Sequence, residues 1–291
     1  MGYLHIDNLY KPSAQAILLF KECYALEKIH GTSAHLSWKP GIRGDVRYFA
    51  GGESHERFMA LFDHAALIAK CQEIFALDNV TIYGEAYGGK QQGMSGTYGK
   101  ELHFAAFDVR VGEAWLSVPN AHDVCAKLGI EFVAYEKVST DLDCLNYERD
   151  RDSRQALRNG MGPGHKQEGV VLRPLIELTT NNGGRIICKH KRDEFKETKT
   201  AREVSPEAAQ ALADAEAIAT EWVTPMRLQH ILQKLPAGIG MESTRDVIAA
   251  MVADVYREGA GEIVESREAS KAIGVAAAWL FRQHLQAALR A

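Results

Sequence analysis

The chain changes character near residue 192, and this break limits its possible folds more than any other feature. Before it, short β-branched and aromatic runs predict strands at 24–30, 33–38, 46–50, 79–84, 103–110, 168–173 and 185–190. A helix is expected over 54–75, where Phe58, Leu61, Phe62, Ala65, Ile68 and Ala69 recur at helical spacing. A second is expected from Pro119 to just before Gly129. Residues 140–167 read as a charged helix and then a mobile glycine-rich loop, Asn159 to Gly164, leading into a strand that starts at Glu168. After Arg192, a polar connector with Lys196, Lys199 and Arg202 runs to Ser205-Pro206. Alanine-rich helical patterns follow at about 206–221, 225–235, 244–258 and 266–290. Thr224-Pro225 has the form of a cap with a first-turn proline, and Ser243-Thr244-Arg245-Asp246 that of a capping box. The expected division is a mixed α/β domain over 1–200 and a small all-α domain over 206–291.

Composition narrows the class. The net charge of −4 argues against a protein that holds nucleic acid by bulk charge, although it leaves room for a local basic groove. Cys23, Cys71, Cys125, Cys144 and Cys188 are scattered and odd in number, so neither a disulfide framework nor a zinc site is expected, and a reducing cytoplasm fits. The first seven residues show no basic-then-apolar pattern, and no signal peptide is read there. Ile273 to Phe281 is too short an apolar run to span a membrane, so no membrane partner is expected.

Five segments carry residues suited to chemistry, in a fixed order. They are Lys28-Ile29-His30-Gly31, Tyr83-Gly84-Glu85, Phe107-Asp108, Glu168-Gly169-Val170-Val171 and Lys189-His190-Lys191. Gly31 permits a turn at the end of the lysine strand. Lys189 and Lys191 alternate and so share a strand face, leaving Cys188 and His190 on the other, where no further metal ligand is at hand. Phe104 reads as core, and Asp108 as pointing to the face opposite Phe107. Gly88-Gly89-Lys90 lacks the spacing of a phosphate-binding P-loop.

Taken together, the five segments resemble the nucleotidyltransferase motifs of the superfamily of covalent-lysine ligases and capping enzymes. The Lys-x-His-Gly variant is most similar to the RNA ligase 2 class. The resemblance covers roughly residues 20–192 and, more loosely, the helical tail, including Val223 to Leu228. It implies an α+β fold: a nucleotidyltransferase domain of antiparallel sheets with flanking helices, plus a small all-α C-terminal domain. It implies an ATP-dependent RNA ligase of RNA repair, a monomer using Mg2+ or Mn2+. Such an enzyme joins RNA 3′-hydroxyl and 5′-phosphate ends through lysyl–AMP and adenylylated RNA, at nicks in duplex RNA.

The resemblance also assigns roles. Lys28 is the nucleophile, and Glu27, Ile29 and Gly31 flank the nucleotide with it. An amine that attacks a phosphate must be neutral. Burial beside Leu26 and Ile29, with Lys189 and Lys191 near, is the expected means. Glu85 accepts hydrogen bonds from the ribose, and Phe107 stacks on adenine. Glu168 helps to hold the metal, and Lys189 and Lys191 neutralise the α-phosphate. Many superfamily members carry Asp where this chain has His30, which reads as a local hydrogen-bonding residue. The chain departs from the family in its Arg-x-Gly-like element, for which Arg43 or Arg47 substitutes. DNA ligase, capping guanylyltransferase and an inactive RNA-end-binding protein are the rival readings. Lys-x-His-Gly and an all-helical tail, in place of a β-barrel, weigh against the first two, and the intact lysine set against the third. Nick, single-strand break and cleaved tRNA all remain open as substrates.

Overall fold

The computed structural model describes residues 2–41, 44–75, 78–179, 183–195, 215–236 and 239–288. Strands β1 (Glu22–Lys28), β2 (Thr32–Lys39) and β3 (Asp45–Ala50) come first, then helices α1 (His55–Met59) and α2 (His64–Phe75). β4 (Val80–Gly88), α3 (Ser95–Tyr98), β5 (Leu102–Val111), β6 (Ala114–Trp115), α4 (Val118–Leu128), β7 (Tyr135–Ser139), α5 (Leu142–Arg149) and α6 (Arg154–Arg158) follow. β8 (Gly169–Pro174) and β9 (Cys188–Lys191) end the strands, and α7 (Ala215–Trp222), α8 (Pro225–Lys234), α9 (Thr244–Glu258) and α10 (Arg267–Ala288) form the tail. The strands make two antiparallel sheets, ordered β7-β1-β8-β9 and β3-β2-β4-β5-β6. This is the expected α+β class.

By contacts the chain divides into two compact units. One comprises residues 1–6 and 16–191, the other 7–15 and 192–291. In the first, one face of the five-stranded sheet packs Leu36, Trp38, Ile82 and Val109 into a core with Phe58, Leu67, Cys71 and Leu128 from the helices. The second has its own core, built around Trp222, Met251 and Phe281. Its buried cation Lys11 bonds to the Glu258 and Ala260 carbonyls at the end of α9. Arg227, one of the tail's basic residues, is buried against Asp254 at 2.5 Å and donates to the Trp222 carbonyl, so it serves the core of its unit.

Several local expectations are corrected. The helix expected over 54–75 is two helices. Ser54 caps α1, and Asp63 accepts from the Ala66 amide at 3.0 Å to begin α2. The spacing of apolar residues shows the buried face but not this restart. Strand β7 was not expected: its Glu136 and Lys137 are exposed on an edge strand, so it lacks apolar alternation. Ser243 makes no cap bond to α9; its hydroxyl instead accepts from the Gly240 amide. Thr224 does cap α8, accepting from Arg227 at 3.2 Å, and Gly129 ends α4 with a φ of 77°. Arg43, the connector over 196–204 and the start of the first tail helix lie outside the described residues.

Asp108 is the largest departure. Strict alternation would turn it away from Phe107, but the β4–β5 register shifts between Tyr83 and Gly84, and the bulge leaves Phe107 as the extra residue. Both side chains then reach Tyr3. The Tyr3 ring meets Phe107 edge-on at 4.9 Å, and its hydroxyl donates to Asp108 at 2.7 Å. Asp108 also binds Arg173 at 3.0 Å and Arg185 at 2.7 Å, and both arginines pair with Glu177. Arg173 lies on β8 and Asp108 on β5, so this buried network ties one sheet to the other. Removing one member leaves buried charge without a counter-charge. Asp108→Ala is expected to lower the free energy of unfolding by about 3 kcal/mol, read from urea denaturation followed by circular dichroism. An unchanged denaturation midpoint would refute the linking role.

Candidate active site

The site forms where β1 ends. The register sets Lys28 opposite Gly169 and Gly169 opposite Lys191, in one row across β1, β8 and β9. The middle position has no side chain. A Cβ on Gly169, whose φ is 151°, would lie 2.2 Å from the His190 carbonyl oxygen. The gap lets two lysines converge on the preceding residue. Glu168 Oε2 lies 2.9 Å from Lys28 Nζ and 3.0 Å from His30 Nδ1, and Oε1 lies 2.9 Å from Lys191 Nζ. Burial alone would raise the Glu168 carboxyl, but Lys191, Lys28 and His30 outweigh it and hold the group well below its ordinary range.

Glu85 reaches the same loop from β4 and accepts the Gly31 amide at 3.0 Å. Gly31 is glycine because β4 passes so close: a Cβ there would sit 2.4 Å from the Ala86 carbonyl oxygen. Its own carbonyl accepts from Gln92 Nε2 at 3.2 Å, and the Tyr98 hydroxyl accepts from the His30 amide at 3.3 Å. Burial pushes Glu85 up to about 7, and the nearby Glu168 adds to the rise, while Lys28, the Gly31 amide and Lys191 pull the other way.

The remaining candidates separate. Glu27 turns its carboxylate away from the face of Lys28, accepting from Ser153 Oγ at 2.5 Å and the Gln155 amide at 3.1 Å; burial pushes its carboxyl up. Only its backbone borders the lysine face. The Ile29 side chain is core. Lys189 stands opposite Val171, on the face it shares with Lys191. Phe107 is partly covered by Tyr3. Arg47 is 67% exposed, lies 3.9 Å from Asp45, and sits across from Ser37 near the far end of β2 from Ser33, the partner of Glu85. On the opposite face of β9, His190 pairs with Asn146 at 2.8 Å. Among the described residues, no group of three or more His, Cys, Asp or Glu could hold a metal unaided.

Lys28 has a partner that the sequence reading did not name: its side chain is 25% exposed and paired with a carboxylate. The carboxylate partner was not legible because Glu168 lies 140 residues away. Tyr3, Gln92, Tyr98 and Ser153 were also missed, since none carries a sequence signal of its contact.

Glu168 has a folded value below its unfolded one, so its stabilisation is full above the ordinary value of 4.5 and is lost as pH falls through the folded value. Glu168→Gln is expected to unfold about 3 kcal/mol more easily at neutral pH, with the gap to the unchanged protein narrowing only below about pH 4.5. Urea titrations across pH read this. A gap independent of pH down to the acid limit would contradict it.

A family model described as RNA ligase matches residues 21–191. No curated protein matches the chain in sequence. Solved structures of Naegleria gruberi RNA ligase variants match in fold: one with AMP and Mn, and one with ATP and Mn. Each has a TM-score of 0.50 and 14% identity, and covers 67% of this chain. The matches span 57% and 56% of those chains, so this chain corresponds to little more than half of each. At that identity the likeness establishes the fold. No helix among the described residues is long and apolar enough to cross a membrane. With more than half its length matched by the family model, over the segment that holds every candidate residue of the site, the chain belongs to the RNA ligase family.

Proposed function

We propose that this chain is an ATP-dependent RNA ligase of the RNA ligase 2-like class, sealing 3′-hydroxyl and 5′-phosphate ends at nicks in duplex RNA. The observation that carries the reading is the convergence of Lys28, Lys191 and His30 on the Glu168 carboxylate, with Glu85 of β4 holding the Gly31 amide beside them. A lysine at a strand end among groups suited to phosphate and ribose is what lysine adenylylation requires. Membership in the RNA ligase family supports the substrate class.

In the proposed first step, Lys28 gives up its proton to water, and Nζ attacks the α-phosphorus of ATP. The N–P bond forms, the P–O bond to pyrophosphate breaks, and pyrophosphate leaves with the electron pair. A 5′-phosphate oxygen of RNA then attacks the same phosphorus, the P–N bond breaks, and the lysine leaves, taking a proton from water. The 3′-hydroxyl of the other end attacks the RNA 5′-phosphorus, loses its proton to water and expels AMP. Lys191 and Lys189 offset charge at the phosphates. Glu85 accepts from the ribose hydroxyls in place of the Gly31 amide, and Phe107 offers a face to the base.

Glu168 fits a divalent cation of the Mg2+ or Mn2+ kind, because a lone carboxylate suits an ion that arrives with phosphates and keeps its waters. Adenylylation strips the positive charge from Lys28, and Glu168 Oε2 then loses a counter-charge that such an ion would replace. When bound, the ion would supply charge neutralisation at the phosphates. The helical tail, by its likeness to the RNA ligase 2 class, would engage the RNA around the nick.

Incubation with labelled ATP and magnesium, a denaturing gel and peptide mapping test the reading. An AMP adduct on Lys28 is expected, with none from GTP or NAD. Lys28→Ala is expected to fold normally and form no adduct; labelling that survives this change would place the nucleophile elsewhere. ATP affinity is expected to strengthen as pH rises through about 7, where Glu85 becomes the carboxylate that accepts ribose hydroxyls, and to lose that dependence in Glu85→Gln. Equal pH dependence in the two proteins would remove Glu85 from ribose binding.

A further inference from the structure

One row of rings crosses the five-stranded sheet on the face opposite its apolar core. Phe49 on β3 stacks on His35 of β2, with centroids 4.9 Å apart and planes at 26°. His35 lies 5.6 Å from Tyr83 on β4, which is 5.4 Å from Trp115 on β6. Tyr3 covers the middle of the row and meets both Tyr83 and Phe107. Most of these rings are enclosed by one another. Phe49 ends the row and is 48% exposed. One side of its ring lies against the imidazole, and burial lowers His35, which favours a neutral, flat support. Two residues earlier on the same strand face, Arg47 extends into solvent.

A solvent-exposed phenylalanine stacked on a buried ring contributes little to the core. A flat ring beside an exposed guanidinium, at the end of an aromatic row that runs to Phe107, suits a nucleic-acid base and its phosphate. We infer that Phe49, backed by His35, is a stacking platform for an unpaired base of the RNA substrate, with Arg47 at the adjoining phosphate. The inference deepens the ligase reading and rests on it for the choice of RNA as occupant. It adds a place for the strand beyond the nucleotide-linked chemistry at Lys28. A base held in a continuous duplex presents no free face to such a ring, so at a nick the platform takes a terminal base that has left its pair.

The test uses the full chain and a short 5′-phosphorylated single-stranded RNA with 2-aminopurine at its terminal position. Stacking on Phe49 is expected to quench the probe on binding. Phe49→Ala is expected to weaken binding about ten-fold, the loss of one base–aromatic stack. Phe49→Trp is expected to keep it, and Phe49→Leu, apolar but not flat, to behave like the alanine variant. Arg47→Ala is expected to reduce the slope of log affinity against log salt by about 0.7, one single-strand phosphate contact. Adduct formation from ATP alone is expected to be unchanged in Phe49→Ala. Binding by Phe49→Leu or Phe49→Ala equal to the unchanged protein would overturn the platform. A protein that forms the Lys28 adduct but never quenches the probe would overturn it too, and leave the ligase reading standing. Quenching that depends on Phe49 in a protein that forms no adduct would keep the platform and remove the ligase reading.

Discussion

Glu168 is the point on which the site turns. One buried carboxylate is shared by Lys28, His30 and Lys191, side chains that come from two strands and a loop. A carboxylate this deeply covered persists as an anion only because its cations oppose the cost of burial. The same arrangement explains the sequence around it. Glycine follows Glu168 because a side chain there would collide with β9, and the empty position admits both lysines. Glycine closes the lysine loop because β4 passes against it, and Glu85 holds its amide. Two glycines and two glutamates that look like separate motifs along the chain meet around the Lys28–Gly31 segment.

The second constraint is the link between the sheets. The lysine row belongs to the four-stranded sheet, Glu85 and Phe107 to the five-stranded one. Their relative placement depends on Asp108 meeting Arg173 and Arg185 behind Phe107. The bulge that brings Asp108 there also presents Phe107 as the unpaired residue of the ladder. One irregularity thus sets a candidate base-stacking ring and the clamp that fixes the sheet carrying it. Tyr3 closes the arrangement by touching both residues.

Much of this was legible in the sequence where the signal is local. Strand runs, the cap at Thr224, the stop at Gly129 and the order of the five segments are each written within a few residues. Strand β7 was not legible because an edge strand needs no apolar alternation, and its charged side chains face solvent. The restart at Asp63 was masked by an apolar spacing that continues on both sides of it. Asp108 was misread because period-two alternation fails at a bulge, and nothing in Phe104 to Val109 marks one. The partner of Lys28 was beyond reach for a different reason: it is chosen by strand register across 140 residues. Residue types announced the site, and register decided who meets whom within it.

The resting ion pair gives the proposed cycle a direction. The contact at 2.9 Å holds Lys28 Nζ against Glu168, and in the proposed cycle that hold must loosen before Nζ can attack. In the proposed cycle a nucleotide would bring negative charge towards Lys191 and Lys189, and Glu168 would be the carboxylate to hold a divalent cation that neutralises the phosphates. Either would weaken the hold of Glu168 on Lys28. In the proposed adenylate Lys28 would carry no positive charge, and its pair with Glu168 could not reform until AMP was passed on. Under that proposal Glu168 would meet a different charge balance before and after each transfer, while Lys191, on the other oxygen, would stay as its partner. A carboxylate bound on both sides, with only one of its cations consumed by the proposed chemistry, could hold the strand ends together throughout the cycle and still release Lys28.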